Sequence, residues 1–461
     1  MGWRTKHKAK LLGPVFSLHT ELPKADIVAV DANAQLRAAT GKHPAPPRRI
    51  AESLGRLIVA ANPRIVIICF DNEHIPERRR QVQQERAARI SLANRPVATP
   101  AIVNKATMES LGETTWEALW NNPAGKRKMF RLLFESLKRF AIAGLGHSAE
   151  WIITEPYGNT VWSYPFGRHP SVVPELTGQR YGEAEAQVVM AVQHYVTKSA
   201  SAKEPIPRSL ILTIDTDMLI QMSGILARNV DIAISQVWRA PSGEVFRGRK
   251  DEPACKKLLA FWHNSAFTGK RVWELVSMNK LQEGRSRSKL MWYQFVWMCV
   301  GGVDYCKGLG RFGFQITDKK PHKSVAVWLT KPSPFTITDT GFTLDLKQLC
   351  RIMSFTRASP TRLDTANKKG GGAKEFVAEL NNILYCLEYY VWFNATRPDV
   401  AGPVAKEFIA EPRQTRVSQW LVACGNSGPV VESINTYPCM STLDPASHGA
   451  DTQAVSDYLG L

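Results

Sequence analysis

Ile65-Val66-Ile67-Ile68-Cys69-Phe70 is apolar without a break and stops at Asp71-Asn72. A strand with one wet face would alternate; this one does not. It reads as a strand covered on both sides, the habit of a parallel sheet. Two other stretches share the form. Ile27-Val28-Ala29-Val30 ends at Asp31-Ala32-Asn33, and Leu210-Ile211-Leu212-Thr213-Ile214 ends at Asp215-Thr216-Asp217. Residues 49–61, between the first two, have helical spacing. The pattern predicts an α/β fold, a central and mostly parallel sheet flanked by helices.

Each of these strands halts at an aspartate. In open α/β sheets ligands bind beyond the carboxyl ends of the strands, so the three carboxylates would converge on one edge. Each Asp also suits a local role as helix N-cap, a role that by itself would account for Asp217 before Met218-Leu219-Ile220. A further acidic pair sits in Tyr181-Gly182-Glu183-Ala184-Glu185-Ala186-Gln187, at the start of a helix expected to reach about residue 195. Helix N-termini favour Glu through the macrodipole. Two acids so close also repel, and a fold that aims both inward needs a cation. Residues i and i+2 point to different faces of a regular helix, so Glu183 and Glu185 serve one site only if it wraps the first turn. Taken together, the three Asp-terminated strands and the Glu pair favour an acidic cluster for Mg²⁺ or Mn²⁺, which prefer oxygen ligands.

The chain of 461 residues carries 59 Lys+Arg against 41 Asp+Glu, a formal charge of +18. Such an excess implies a polyanionic partner, nucleic acid first, and no basic amphipathic helix stands apart to suggest a membrane surface. The eight cysteines are scattered without Cys-x-x-Cys, which argues against a zinc site or disulfide framework and suits a reducing compartment. Residues 1–10 are basic, but no uninterrupted apolar core follows, so no export signal is expected. No apolar run reaches 18 residues, so no spanning segment is expected either. An intracellular monomer is the expectation.

Residues 77–89 (Glu-Arg-Arg-Arg-Gln-Val-Gln-Gln-Glu-Arg-Ala-Ala-Arg) are polar nearly all round, and lack the stripe that anchors a helix to a core. They suit a passage ordered by a phosphate backbone, or an ordinary solvated helix. Residues 125–144 carry a core stripe of Met129, Phe130, Leu133, Leu137 and Phe140, with Lys126, Arg127, Lys128, Arg131, Lys138 and Arg139 opposite. Residues 151–180 read as an inserted hairpin, 198–208 as a loop, 231–234 as a strand, and 254–263 and 271–278 as helical. Residues 290–300 are apolar all round and predict a buried helix. It leads into Gly301-Gly302-Val303-Asp304-Tyr305 and the turn Lys307-Gly308-Leu309-Gly310-Arg311-Phe312-Gly313, whose glycines allow close approach to a phosphate. Strands and turns are expected over 336–343, and the tail after 425 reads as loosely structured. Three regions follow: 1–150 with a basic segment at about 72–124, 151–330, and a C-terminal extension over 331–461.

With its acids in this order, the chain resembles the flap endonuclease (XPG-type) family of structure-specific 5′ nucleases, in patches over about residues 1–315. The family's Glu-Ala-Glu-Ala-Gln is matched letter for letter by Glu183 to Gln187. Its Asp-Ala/Gly-x after a strand is Asp31-Ala32-Asn33, and its Val-x-Phe-Asp-Gly is approached by Ile68 to Asn72. Its Asp-x-Asp is Asp215-Thr216-Asp217, and its Leu-x-Gly-x-Asp-Tyr is approached by Val300 to Tyr305. The resemblance implies a PIN-like fold with a helical arch and two divalent ions, Mg²⁺ or Mn²⁺, held by Asp31, Asp71, Glu183, Glu185, Asp215, Asp217 and Asp304. It implies that Arg78, Arg79 and Arg86 belong to the arch and act on phosphate in the reaction. It also places nucleic-acid contacts at Gly2, at Arg37 (where the family puts a stacking aromatic), and at Lys307, Gly308, Gly310 and Gly313. The implied activity is 5′ flap endonuclease or 5′–3′ exonuclease action on DNA in repair or replication, which would place the protein in the nucleus, with the cytoplasm as the other compartment. The alternatives are RNA endonuclease action of the viral host-shutoff kind and a non-catalytic nucleic-acid binder with a decayed site. Gln414-x-x-Val417-x-x-Trp420-Leu421 does not support sliding-clamp binding.

Overall fold

The computed structural model of the chain describes residues 12–33, 47–71, 123–143, 148–177, 184–213, 216–223, 229–239, 245–246, 270–303, 325–338 and 341–345, with 306, 308–309, 348–349, 352, 379, 383–384, 386–387 and 435–437. In chain order its strands and helices are β1 (Phe16–His19), β2 (Ile27–Asp31), α1 (Pro47–Ala60), β3 (Ile65–Cys69), α2 (Pro123–Ile142), β4 (Glu150–Thr154), β5 (Val161–Tyr164), β6 (Ser171–Val172), α3 (Ala184–Ser201), β7 (Ser209–Leu212), α4 (Thr216–Ser223), β8 (Val230–Arg239), β9 (Val245–Phe246), β10 (Lys270–Ser277), α5 (Met278–Gln282), α6 (Arg287–Gly301), α7 (Val325–Thr330), β11 (Phe335–Thr338), β12 (Gly341–Leu344) and β13 (Asn435–Tyr437).

Strands β8, β7, β2, β3 and β4 lie side by side in that order and all run parallel. Antiparallel strands extend both margins: β10 then β1 beyond β8, with β9 also on β8, and β5 then β6 beyond β4. The expected parallel centre is therefore present, flanked by helices. From β2 the chain builds outward to β3 and β4, then returns to lay β7 on the other side of β2. The carboxyl ends of β2 and β7 thus flank a topological switch point, where an open α/β sheet leaves a crevice.

The period of two explains how continuous apolar strands are used. Val28, Val30, Val66 and Ile68 face α1 and α2, packing with Ile50, Leu54, Ile58, Met129, Phe130 and Leu133. Ile27, Ala29, Ile67 and Cys69 face the other way, onto a core with Val188, Val192, Leu219 and Phe295 of α3, α4 and α6. Each fully buried Val, Ile or Leu contributes about 1.5–3 kcal/mol, which is why β-branched residues fill both faces. The expected stripe on α2 is buried at Met129, Phe130, Leu133 and Leu137. Helix α6 is buried nearly all round, as its composition predicts. Its N-cap Ser286 accepts from the Lys289 N–H at 3.2 Å, and it stops at Gly302, whose φ is +65°.

Three sequence expectations change. Of residues 271–278, expected to be helical, 271–277 lie in β10 and only Met278 begins a helix, α5. Val272 to Val276 are all buried between β8 and β1. This short stretch, covered on both faces and holding buried Glu274 among Val272, Trp273, Leu275 and Val276, gives no periodicity to separate strand from helix, and its β-branched and aromatic residues decide for strand. The 151–180 hairpin exists, with Trp151 opposite Tyr164 and Thr154 opposite Val161. Its first strand, however, is β4, paired with β3 from Ile65↔Glu150 to Ile68↔Ile153, so the hairpin continues the central sheet. Helix α3 continues past residue 195 to Ser201. The strands and turns expected over 336–343 take the form of the antiparallel pair β11–β12, and β13 joins it from the tail read as loosely structured. The segments 77–89 and 254–263 lie outside the described residues. Cys69, Cys299, Cys306 and Cys386 are buried free thiols. Among the described residues no helix is long and apolar enough to cross a membrane.

Candidate metal centre

Four of the seven expected metal ligands are described, and all four are buried. Asp31 is 1% exposed, Asp71 2%, Glu185 6% and Asp217 8%. They come from four elements far apart in the chain: Asp31 ends β2, Asp71 follows β3, Glu185 opens α3 and Asp217 opens α4. Strand register sets the geometry at the edge. Asp31 lies opposite Cys69, two residues short of Asp71, on adjacent strands about 4.8 Å apart. Val30 lies opposite Leu212, so β7 ends beside Asp31, and α4 with Asp217 follows it in the chain.

Asp71 is the best defined of the four. Its Oδ1 accepts the Ala184 N–H at 3.0 Å, so a β3 residue caps helix α3 and holds the first turn, with Glu185, against the end of the sheet. Its neighbours hold the backbone there. The Thr154 hydroxyl accepts the Phe70 N–H at 2.8 Å, the Gln187 amide donates to the Phe70 carbonyl at 3.0 Å, and the Tyr157 N–H donates to the Asp71 carbonyl at 3.0 Å. Asp71 Oδ2 is buried and, among the described residues, has no hydrogen-bond partner. A buried carboxylate oxygen left in this way is costly in a dry site unless a cation or donor arrives. Asp31 Oδ1 accepts the Asn33 N–H at 3.0 Å, and both polar atoms of the Asn33 side chain are buried without a partner among the described residues.

Positive charge lies on the neighbouring helix. The Arg127 guanidinium stands 5.3 Å from the centroid of the Tyr157 ring. Burial raises the Tyr157 hydroxyl above its ordinary range, the Asp71 charge raises it further, and Arg127 and Arg131 pull it back. Tyr157 has a left-handed backbone, φ +60°, an uncommon conformation for a bulky residue.

Oxygen-only donors suit Mg²⁺ or Mn²⁺, and the orphaned Asp71 Oδ2 fits a hard cation. Among the described residues, no three His, Cys, Asp or Glu side chains form a group that could hold a metal. Glu183, Asp215 and Asp304 lie outside the described residues, as do Gly2, Arg37, Arg78, Arg79, Arg86, Lys307, Gly310 and Gly313. Gly308 is described and departs from its expected role. Its N–H is donated to Glu379 Oε1 at 2.9 Å inside the core, so that N–H is not offered to a phosphate. With φ +71°, Gly308 packs against the end of α6, where a Cβ would meet the Met298 carbonyl and the Gly302 nitrogen at 2.7 Å.

Sequence reasoning gave no role to Asn33, Gln187, Thr154, Tyr157 or Arg127. Asn33 and Gln187 lay inside quoted motifs, and Arg127 on the basic face of α2. Tyr157 carried only the turn signal Pro156-Tyr157-Gly158. Compared with known proteins, the chain matches no protein-family model and no curated protein sequence.

Proposed function

We propose that the chain is a divalent-metal-dependent nuclease on a PIN-like scaffold, cleaving phosphodiester bonds of nucleic acid at the switch point of the sheet. One observation carries the reading: four buried carboxylates from distant parts of the chain stand at the carboxyl edge of a parallel sheet, and Asp71 keeps one oxygen without a protein partner. The +18 charge of the chain supports a polyanionic substrate.

Asp71 would anchor one ion, with Asp31 and Glu185 drawn in around it as it binds, and Asp215 and Asp217 would hold a second, with Glu183 and Asp304 at their margins. Divalent ions in such a site supply Lewis-acid stabilisation of charge on the phosphate. The chain's own groups do the rest. Asp71 fixes the first turn of α3 through Ala184, which holds Glu185 at the edge. Gln187, Thr154 and Tyr157 hold Phe70 and Asp71 so that Oδ2 keeps its direction. The apolar floor under the acids, Phe70 and Ala184, keeps bulk water out, which strengthens each electrostatic contact above it. Arg78, Arg79 and Arg86 would offset charge on the phosphate.

DNA with a 5′ flap is the first substrate and single-stranded RNA the second. Labelled 5′-flap DNA, duplex DNA and single-stranded RNA, each with Mg²⁺, Mn²⁺ or EDTA, test both. The expected result is metal-dependent cutting of flap DNA near the junction. Cutting of RNA alone replaces the substrate, and no cutting of any of them with either metal overturns the nuclease reading.

A further inference from the structure

Asn33 lies just past Asp31, the last residue of β2. β2 is one of the two strands whose carboxyl ends flank the switch point, so the chain carries Asn33 out at the crevice. Its backbone N–H is used, since Asp31 Oδ1 accepts it at 3.0 Å. Its side-chain amide is not: Oδ1 and Nδ2 are both buried, and neither has a partner among the described residues. An amide carries an acceptor oxygen and two donor hydrogens, and burying them unpaired is costly. A side chain kept only to shape the turn gains nothing from them. The contact to Asp31 is made by the backbone, and any residue except proline supplies that N–H.

The acids of this edge define what such an amide offers. Asp31, Asp71, Glu185 and Asp217 are acceptors when ionised, and each repels a phosphate. A site built from them needs donors for the oxygens of its substrate. A lysine or arginine placed among them would pair with the carboxylates and compete with a cation. Asparagine donates without adding a charge for the carboxylates to capture. Its Oδ1 accepts in turn from water, and Mg²⁺ keeps several waters when it binds to carboxylates.

We propose that the Asn33 amide is a substrate contact beside Asp31: Nδ2 donates to a non-bridging oxygen of the phosphodiester, and Oδ1 accepts from a water in the shell of a divalent ion. This rests on the nuclease reading above and deepens it, naming a neutral group that holds the phosphate among acids. No bond is made or broken at Asn33. The amide is unpaired in the folded chain because its partners arrive with the substrate.

The test joins a melt to a sulfur substitution. Asn33→Leu is close to isosteric, and Asn33→Ala is smaller; both keep the backbone N–H on Asp31. In EDTA at least one of them should melt no lower than wild type, since each removes unpaired buried atoms. Cleavage is then followed in single turnovers at saturating Mn²⁺, on whichever of 5′-flap DNA and single-stranded RNA wild type cuts. Both variants should cut about 100-fold more slowly, the loss typical of one donor aimed at charge in the reaction. Sulfur then replaces one non-bridging oxygen of the bond to be cut, with each diastereomer assayed apart. One isomer should slow wild type by a factor that is absent from the variants, because the hydrogen bond it weakens is already gone. If both variants melt lower in EDTA, or they cut at the wild-type rate, or the sulfur and side-chain losses multiply for both isomers, the Asn33 contact is overturned and the nuclease reading stands. Wild type that cuts neither substrate with Mg²⁺ or Mn²⁺ overturns both.

Discussion

Asp71 gives one carboxylate oxygen to the first turn of α3 and keeps the other buried without a partner. Asparagine preserves the first oxygen and removes the charge. Asp71→Asn should therefore keep the fold and lower cleavage by at least about 100-fold, beyond what loss of an outer-sphere partner usually costs. Without metal, the variant should melt no lower than wild type, because one member of a repelling set has been neutralised. Mg²⁺ should raise the melting temperature of wild type and not of the variant, since a cation that binds only the folded state stabilises it by mass action. Equal Mg²⁺-induced shifts in both would remove Asp71 from the site. A second residue-scale test uses Tyr164. Burial pushes its hydroxyl up to about 12, with Glu135 and Glu155 adding to the shift. Its folded pKa lies above the ordinary 10.0, so its stabilisation is complete below pH 10 and is lost as pH rises from 10 to about 12. Urea unfolding across that window should show a falling stability, and Tyr164→Phe should flatten part of the fall; an unchanged slope would contradict the assignment.

At the scale of the element, the turn after α6 is built for packing. Gly308→Ala places a methyl against two backbone atoms in a left-handed conformation, so thermal or urea unfolding should show a loss of roughly 1–3 kcal/mol or more. An unchanged melt with weakened nucleic-acid binding would restore the phosphate role that glycine first suggested. Strand β10 marks where sequence patterns run out. Val28 and Val30 differ from Ile27 and Ala29 only in which layer they meet, and both layers are apolar, so a continuous run was enough to place β2, β3 and β7. β10 was hidden for another reason: Glu274 interrupts Val272 to Val276, leaving neither a continuous apolar run nor a clean alternation. Asp31 and Asp71 were legible because each charged residue ends an apolar strand. Tyr157 and Asn33 were not, since their importance comes from the Asp71 carbonyl and from buried atoms that only the assembled edge brings close.

For the whole molecule, the order β8-β7-β2-β3-β4 decides where chemistry is possible. The chain leaves β2 in one direction and returns on its other side, so Asp31, Asp71 and Asp217 lie along one edge of the sheet from distant stretches of chain. The basic face of α2 borders that edge, and most of the chain's Lys and Arg need no closer role than attracting a polyanion. The central claim is that these acids gather around divalent ions. Its most direct measurement is an equilibrium Mn²⁺ titration, by calorimetry or electron paramagnetic resonance, on wild type and on Asp31→Asn and Asp71→Asn. Two Mn²⁺ bound by wild type, with affinity weakened at least about tenfold in each variant, is the predicted result. Wild type that binds no Mn²⁺ at millimolar concentration, or variants that bind it as tightly as wild type, would contradict the claim.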